Sequence, residues 1–313
     1  MATVAEIVVG DVGADHPSVG LVAELRSWLE AELESVTTGW SGPGGPLGVT
    51  KSRILATARC PASVLAEADD LPLSIPLVAG ASLDAAAALL LVSDRLPGSA
   101  PWLGALMPVL HQTAPDHAEY IEGLSVEDRQ ELRETVEAKG RRLAALLGDL
   151  RSVPGTAQEM FRVDLVDGRV TLTGRTDLVL GRGSRSVVEV KSGAVRAAHV
   201  DEAGFYALLA SMRDGVAPRT TVVVTLDPGV VTPYPVTEHS LEAAARRVVS
   251  TARDLIEIDR AVDDGRWPST VPGDFCVWCG VVQRCPEAPD LARAEAQAGA
   301  DSPELDDEED EPW

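Results

Sequence analysis

Lysine is scarce in this chain. There are three, Lys51, Lys139 and Lys191, against 24 arginines. Where arginine is the habitual cation, each lysine marks a place for a compact ammonium rather than a planar fork. Cysteine is also sparse. Cys60, Cys276, Cys279 and Cys285 are the only four, and in a cytosolic chain of this size such thiols are more often metal ligands or inert core residues than disulfides. No apolar stretch of 18 residues runs free of charge, which argues against a spanning helix and a membrane partner. The most apolar run, Ala85 to Val92, is short and bracketed by Asp84 and Asp94. The opening MATVAEIVVGDVGADH lacks a basic segment before an apolar core, so it does not resemble a signal peptide, and a cytoplasmic location is expected. There is no G-x4-G-K-[ST] phosphate loop, so any motor belongs to a separate partner.

What is present is a chain of 313 residues, 45% apolar, enough for a sizeable core and about two domains' worth of length. The net charge of −22 by itself argues against nucleic acid, which is bound through Lys and Arg. The acid is unevenly spread, however. Eight acids and no base fall in 301–313, leaving −14 for the rest, so whole-chain charge says little about any one face.

Helical periodicity covers Val22 to Val36, and the Gly/Pro-rich residues 39–48 follow as a linker. Ser52 to Ala66 predicts a helix capped by Ser52 and interrupted at Pro61. Residues 82–93 and Ala118 to Asp149 also predict helices. From Met160 to Val190 the period changes to two, in three runs separated by turn signals, which predicts an antiparallel meander. A helix (Val200 to Arg213), a buried strand (Thr220 to Leu226) and a long helix (Leu241 to Val262) complete an α/β core with a mixed sheet.

Chemistry concentrates in this strand region. Glu189 and Lys191 are two apart on one strand and share a face, while Asp177 precedes the turn on its neighbour. Two carboxylates with an ammonium suit Mg²⁺ or Mn²⁺. Such an ion stabilises charge developing on a phosphodiester, with Lys191 orienting or helping to deprotonate the attacking water, or neutralising the transition state. The plain alternative is a surface hairpin with a salt bridge.

The stretch LTGRTDLVLG…SVVEVKSG resembles the PD-(D/E)XK nuclease core, in its RecB-like branch. The resemblance rests on Gly174, Arg175, Asp177, Glu189, Lys191, Ser192 and Gly193. It implies a restriction-endonuclease-like core, a central mixed sheet flanked by helices, and Q-x-x-x-Y on the helix after the third strand. There Tyr206 matches, but Glu202 stands where Gln is usual. The resemblance also implies an upstream acid, which Glu159 matches loosely, and a metal-binding His, for which His111 is the candidate and His117 the runner-up. It gives Asp177, Glu189 and His111 to the metal, Lys191, Tyr206 and Glu202 to catalysis, and Arg175 and Tyr206 to DNA.

The cysteines fall as C-x2-C-x5-C near the end of the chain, with Cys60 more than 200 residues upstream. Together they complete a four-thiolate set for Zn²⁺ or a [4Fe–4S] cluster, the alternative being free buried thiols. SRILATARCP resembles the start of iron–sulfur nucleases such as AddB and the CRISPR-associated RecB-like exonucleases, in which such cysteines hold a [4Fe–4S] clasp. The resulting expectation is an extension and linker over 1–48, a nuclease domain over 49–290, and a disordered acidic tail over 291–313. The activity expected is cleavage of DNA at single strands or ends, in repair, recombination or defence. A catalytically inactive DNA-end-binding or scaffold module and a zinc-stapled protein-interaction domain are the rivals. The tail is either a solvated segment, a peptide docking on a helicase or repair protein, or a phosphate mimic.

Overall fold

The structure, a computed structural model, describes residues 2–10, 15–42, 44–66, 73–92, 101–150, 153–290 and 292–293. Residues 294–313 of the expected tail lie outside them, while Ala292 is buried and Arg293 donates to the Cys285 carbonyl at 2.6 Å. The chain divides into two compact units, one of Met1–Leu55 with Leu73–Arg253, the other of Ala56–Pro72 with Asp254–Trp313.

The first unit is a mixed α/β structure with helices flanking two sheets. The larger sheet has the order β2 (Gly155–Ala157), β5 (Leu178–Leu180), β6 (Ser186–Lys191), β7 (Thr220–Thr225) and β8 (Val230–Pro235). Its β6 and β7 run parallel and its other pairs antiparallel. In the smaller sheet β4 (Val170–Arg175) lies between β1 (Leu47–Thr50), which is parallel to it, and β3 (Met160–Leu165), which is antiparallel. Strand β6 is central and buried on both faces, as strands beside a parallel partner usually are.

The expected meander is thus two bent ladders rather than one. The second of the three runs, RVTLTGRTDLVLG, breaks at Thr176–Asp177, where the chain passes from the smaller sheet to the larger. Its partner breaks opposite, at Gln158–Glu159, with Gln158 at φ 54°. The break is pinned by two backbone bonds, Thr176 N–H to Glu159 C=O (3.1 Å) and Gln158 N–H to Asp177 C=O (2.9 Å). A period-two pattern continues smoothly through such a switch, so the hydropathy does not reveal it.

Helices α1 (Val4–Val8) and α2 (Val19–Thr37) fold within this first unit, and α2 packs on α8 (Ala198–Asp214). Helix α3 spans Lys51–Arg59. The first-turn amide of Arg53 is accepted by Thr50 Oγ1 at 3.2 Å, so Thr50 does the capping expected of Ser52. Helix α4 (Ile75–Val92) is long and apolar enough to cross a membrane, with a mean hydropathy of 2.0. It carries Asp84 at mid-length and packs on α5 (Trp102–Thr113), α7 (Val126–Leu147), β2 and β6 as a core helix. The helix expected from Ala118 to Asp149 divides into α6 (Pro115–Gly123) and α7, because Ser125 caps α7 through the amide of Asp128 at 3.1 Å. Strand β8 escaped the sequence reading because it holds Pro233 and Pro235. It lies at a sheet edge, where prolines cost no ladder bond. Helix α9 spans Glu238–Asp263.

Helix α8 sits over β3, β4, β6 and β7. Its approach to β4 requires Gly174. A Cβ there would stand 2.9 Å from the Tyr206 ring and 3.1 Å from Leu209. Gly174→Ala should therefore destabilise the fold by about 1–3 kcal/mol through overpacking. Thermal or urea unfolding measures this, and unchanged stability would refute the close approach.

Candidate active site

The break at Thr176–Asp177 places Asp177 beside Glu189, one step beyond the Leu178–Val188 pair. Asp177 Oδ2 accepts the backbone N–H of Val190 at 2.6 Å, which ties the acid to the neighbouring strand. Glu189 is 1% exposed. Its Oε2 lies 3.3 Å from Lys191 Nζ and 3.4 Å from Lys51 Nζ. Glu202, on the first turns of α8, brings Oε2 to 2.5 Å from Lys191 Nζ and 3.7 Å from Lys51 Nζ. Both ammonium groups are therefore shared between the same two carboxylates. The other oxygen of Glu189, Oε1, is buried without a hydrogen-bond partner.

Asp84, from α4, is the fourth acid of the cluster. Burial, then the charge of Glu189, pushes its carboxyl up to about 7, against the pull of Lys191, Lys51 and Arg175. Burial and then Asp84 raise Asp177 to about 7. Burial and then Asp177 raise Glu189 to about 8. For Lys51, burial acts downward, but Glu189, Glu202 and Asp177 outweigh it and lift the ammonium to about 12. The cluster holds more negative charge than two lysines neutralise.

The structure redistributes several expected roles. His111 is half-exposed, with Nε2 3.0 Å from Glu122 Oε1, and is not among the principal charges acting on Asp84, Asp177 or Glu189. His117 is likewise absent from those principal charges. Glu159 is clamped by Arg213 at 2.6 Å and Arg185 at 3.1 Å, with the Arg213 guanidinium 3.7 Å from the centroid of the Phe161 ring. Tyr206 does not present itself to a ligand. It is 1% exposed, and its hydroxyl donates to the Arg175 carbonyl at 2.8 Å, so it props the end of β4. The Arg175 side chain is exposed. Two residues were missed. The signal for Asp84 was an isolated acid within an apolar helix. For Lys51 it was lysine scarcity. The third lysine, Lys139 on α7, also lies near this strand end, with Nζ 2.7 Å from the Ser192 carbonyl and 2.9 Å from Asp227 Oδ2.

The second unit contains all four cysteines, as free thiols. Cys276 lies in a 3-10 turn, Asp274–Trp278, and forms a small apolar cluster with Val282, Ala288 and Ala292, against which Cys279 and Cys285 pack. Cys60 precedes a second 3-10 turn, Pro61–Leu65. Backbone N–H groups of Val271 and Gly273 point at the sulfurs of Cys60 and Cys276, both at 3.4 Å. Burial, and then the neighbouring Cys60 and Cys276, push the Cys279 thiol up.

Among the described residues, no group of three or more His, Cys, Asp or Glu is drawn together tightly enough to hold a metal ion. The chemistry of the acidic cluster nonetheless fits a hard divalent cation. It has converging carboxyls that resist ionising together and a buried oxygen with no partner. The four thiols likewise fit a four-sulfur centre by donor type.

A mixed α/β core with clustered acids and a lysine at a strand break defines a restriction-endonuclease-like fold. The family model described as "PD-(D/E)XK nuclease superfamily" matches residues 49–286, and the chain belongs to that superfamily. Its nucleases typically use Mg²⁺ or Mn²⁺, and membership supports nuclease activity with DNA as substrate. No curated protein matches the chain. The crystal structure of SSO0001 is similar at 12% identity and a TM-score of 0.35, over 85% of this chain and 96% of that one.

Raised carboxyl pKa values mean that the folded chain holds more protons than the unfolded chain between about pH 4 and pH 8. The contribution of these groups to stability is full at low pH and is lost as pH rises through about 7 to 8. In EDTA, Asp84→Asn should accordingly raise Tm most at about pH 8.5, less at about pH 5.5, where the unfolded chain alone has lost the proton, and hardly at all near pH 4. Added Mg²⁺ should raise the wild-type Tm more at the higher pH. Thermal melts at the two pH values check both, and a lowered Tm for the variant at high pH would contradict the repulsion.

Proposed function

We propose that this chain is a metal-dependent DNA nuclease of the RecB-like branch, hydrolysing phosphodiester bonds at single strands or ends. The observation that carries the reading is the gathering of half-buried Asp84 and Asp177 and fully buried Glu189 about Lys191, with Glu189 Oε1 left without a partner. Asp84, Asp177 and Glu189 would hold the divalent ion, which supplies positive charge to the phosphate and acidifies water. Lys191, fixed by Glu189 and Glu202, orients the attacking water and faces the negative charge that develops as the P–O bond breaks. Tyr206 and Gly174 seat α8 on β4, which positions Glu202. Arg175, exposed beside the acids, meets the DNA backbone.

For the second unit the reading is a [4Fe–4S] clasp held by Cys60, Cys276, Cys279 and Cys285. Support comes from the four thiols gathered in one unit and the backbone N–H groups on two of the sulfurs.

Single-stranded DNA incubated with Mg²⁺ or Mn²⁺ should be cleaved, and EDTA should abolish cleavage. Lys191→Ala should lower the rate by about 10²–10⁴-fold while the protein remains folded. Metal-independent cleavage, or none with any divalent ion, would sink the reading. Purified without oxygen, the protein should be brown, and Cys60→Ser should lose the colour and the bound iron. A colourless wild-type protein carrying zinc would replace the cluster with a zinc staple.

A further inference from the structure

Lys191 is not the only ammonium at the carboxylates. Lys51 opens α3 directly after β1 and reaches the same two oxygens, Glu189 Oε2 at 3.4 Å and Glu202 Oε2 at 3.7 Å. It also lies 5.3 Å from the centroid of the Tyr206 ring. These side chains grade in depth. Counting side-chain atoms alone, Glu189 is 2% exposed and Glu202 9%, while Lys191 is 20% and Lys51 30% exposed. The acids thus form the floor, and Lys51 is the most accessible of the four. An anionic strand approaching a buried set of carboxyls is repelled unless a cation meets it first. Glu202 Oε2, 2.5 Å from Lys191 Nζ and 3.7 Å from Lys51 Nζ, holds the two lysines from the helix side.

We propose that Lys51, held in place by Glu202 and Glu189, is a phosphate-binding residue that receives the DNA backbone at the mouth of the site. The inference rests on the nuclease reading and adds to it a second substrate-facing cation. Its two carboxylate contacts aim a point charge without consuming all three of its donors. A third donor is left for a phosphate oxygen.

The test is the salt dependence of kcat/KM on a single-stranded oligonucleotide with Mg²⁺, for the wild type, Lys51→Met and Lys51→Arg, each checked by thermal melting. Loss of one phosphate contact should reduce the slope of log(kcat/KM) against log salt by about 0.7 for Lys51→Met. The variant should be slowest relative to wild type at low salt and converge with it at high salt. Lys51→Arg, which keeps the charge, should restore the slope. A merely structural role would lower the rate without moving the slope. If Lys51→Met fails to fold because Glu202 has lost a neighbour, the double variant Lys51→Met/Glu202→Gln removes both charges and carries the same measurement. Cleavage by wild type with an unchanged slope in the lysine variant overturns this inference alone. Absence of cleavage by wild type overturns the nuclease reading and this inference with it.

Discussion

The structure depends on forcing carboxylates together around a strand buried on both faces. At an effective dielectric of about 20, unit charges about 4 Å apart interact by roughly 4 kcal/mol. A pKa unit corresponds to about 1.4 kcal/mol. A few such neighbours, added to burial, account for acids whose pKa values lie near 7 and 8 instead of near 4. The chain tolerates the repulsion because every backbone segment bearing an acid is fixed by something else. Asp177 is tied to the Val190 amide, Glu189 lies in a strand buried on both faces, Asp84 rides a core helix, and Glu202 rides a helix seated by Tyr206 and Gly174.

The bend in the paired strands is what converts this tolerance into a site. A regular hairpin would carry Asp177 along the ladder with its side chain committed to one face. The switch from the smaller sheet to the larger frees Asp177 from a ladder pair just where Glu189 passes. Glu159, at the same bend, is held by Arg185 and Arg213, so two acids 18 residues apart have different partners.

How much of this was legible depended on whether the signal was local. Asp177, Glu189 and Lys191 were legible because strand alternation and one turn suffice to bring them together. The four cysteines were legible because thiols are rare here and their spacing is tight. The mixed α/β class followed from the change of period at Met160. Asp84 was not found because it reaches the site through tertiary packing of α4, with no sequence proximity to the strands. His111 looked suitable by residue type, yet α5 turns it toward Glu122 and solvent. Tyr206 was found, but its role was not, since a motif cannot tell a hydroxyl that meets a ligand from one that meets the Arg175 carbonyl. The second unit's division of the chain was hidden for a similar reason, because Ala56–Pro72 joins residues from Asp254 onward.

The scarcity of lysine has a physical counterpart in these distances. All three lysines stand around the end of β6, two on the carboxylates and one on the Ser192 carbonyl. An arginine would commit its fork to one carboxylate edge-on and fill the space between Glu189 and Glu202. An ammonium presents three donors from one atom and can touch both acids at once, as Lys51 and Lys191 each do. That sharing divides the labour within Glu189 itself. Its Oε2 is occupied by the two lysines while Oε1 is left bare. A carboxylate split in this way holds cations on one side and keeps the other for a guest, a division that neither a neutral amide nor an arginine-bound acid would provide.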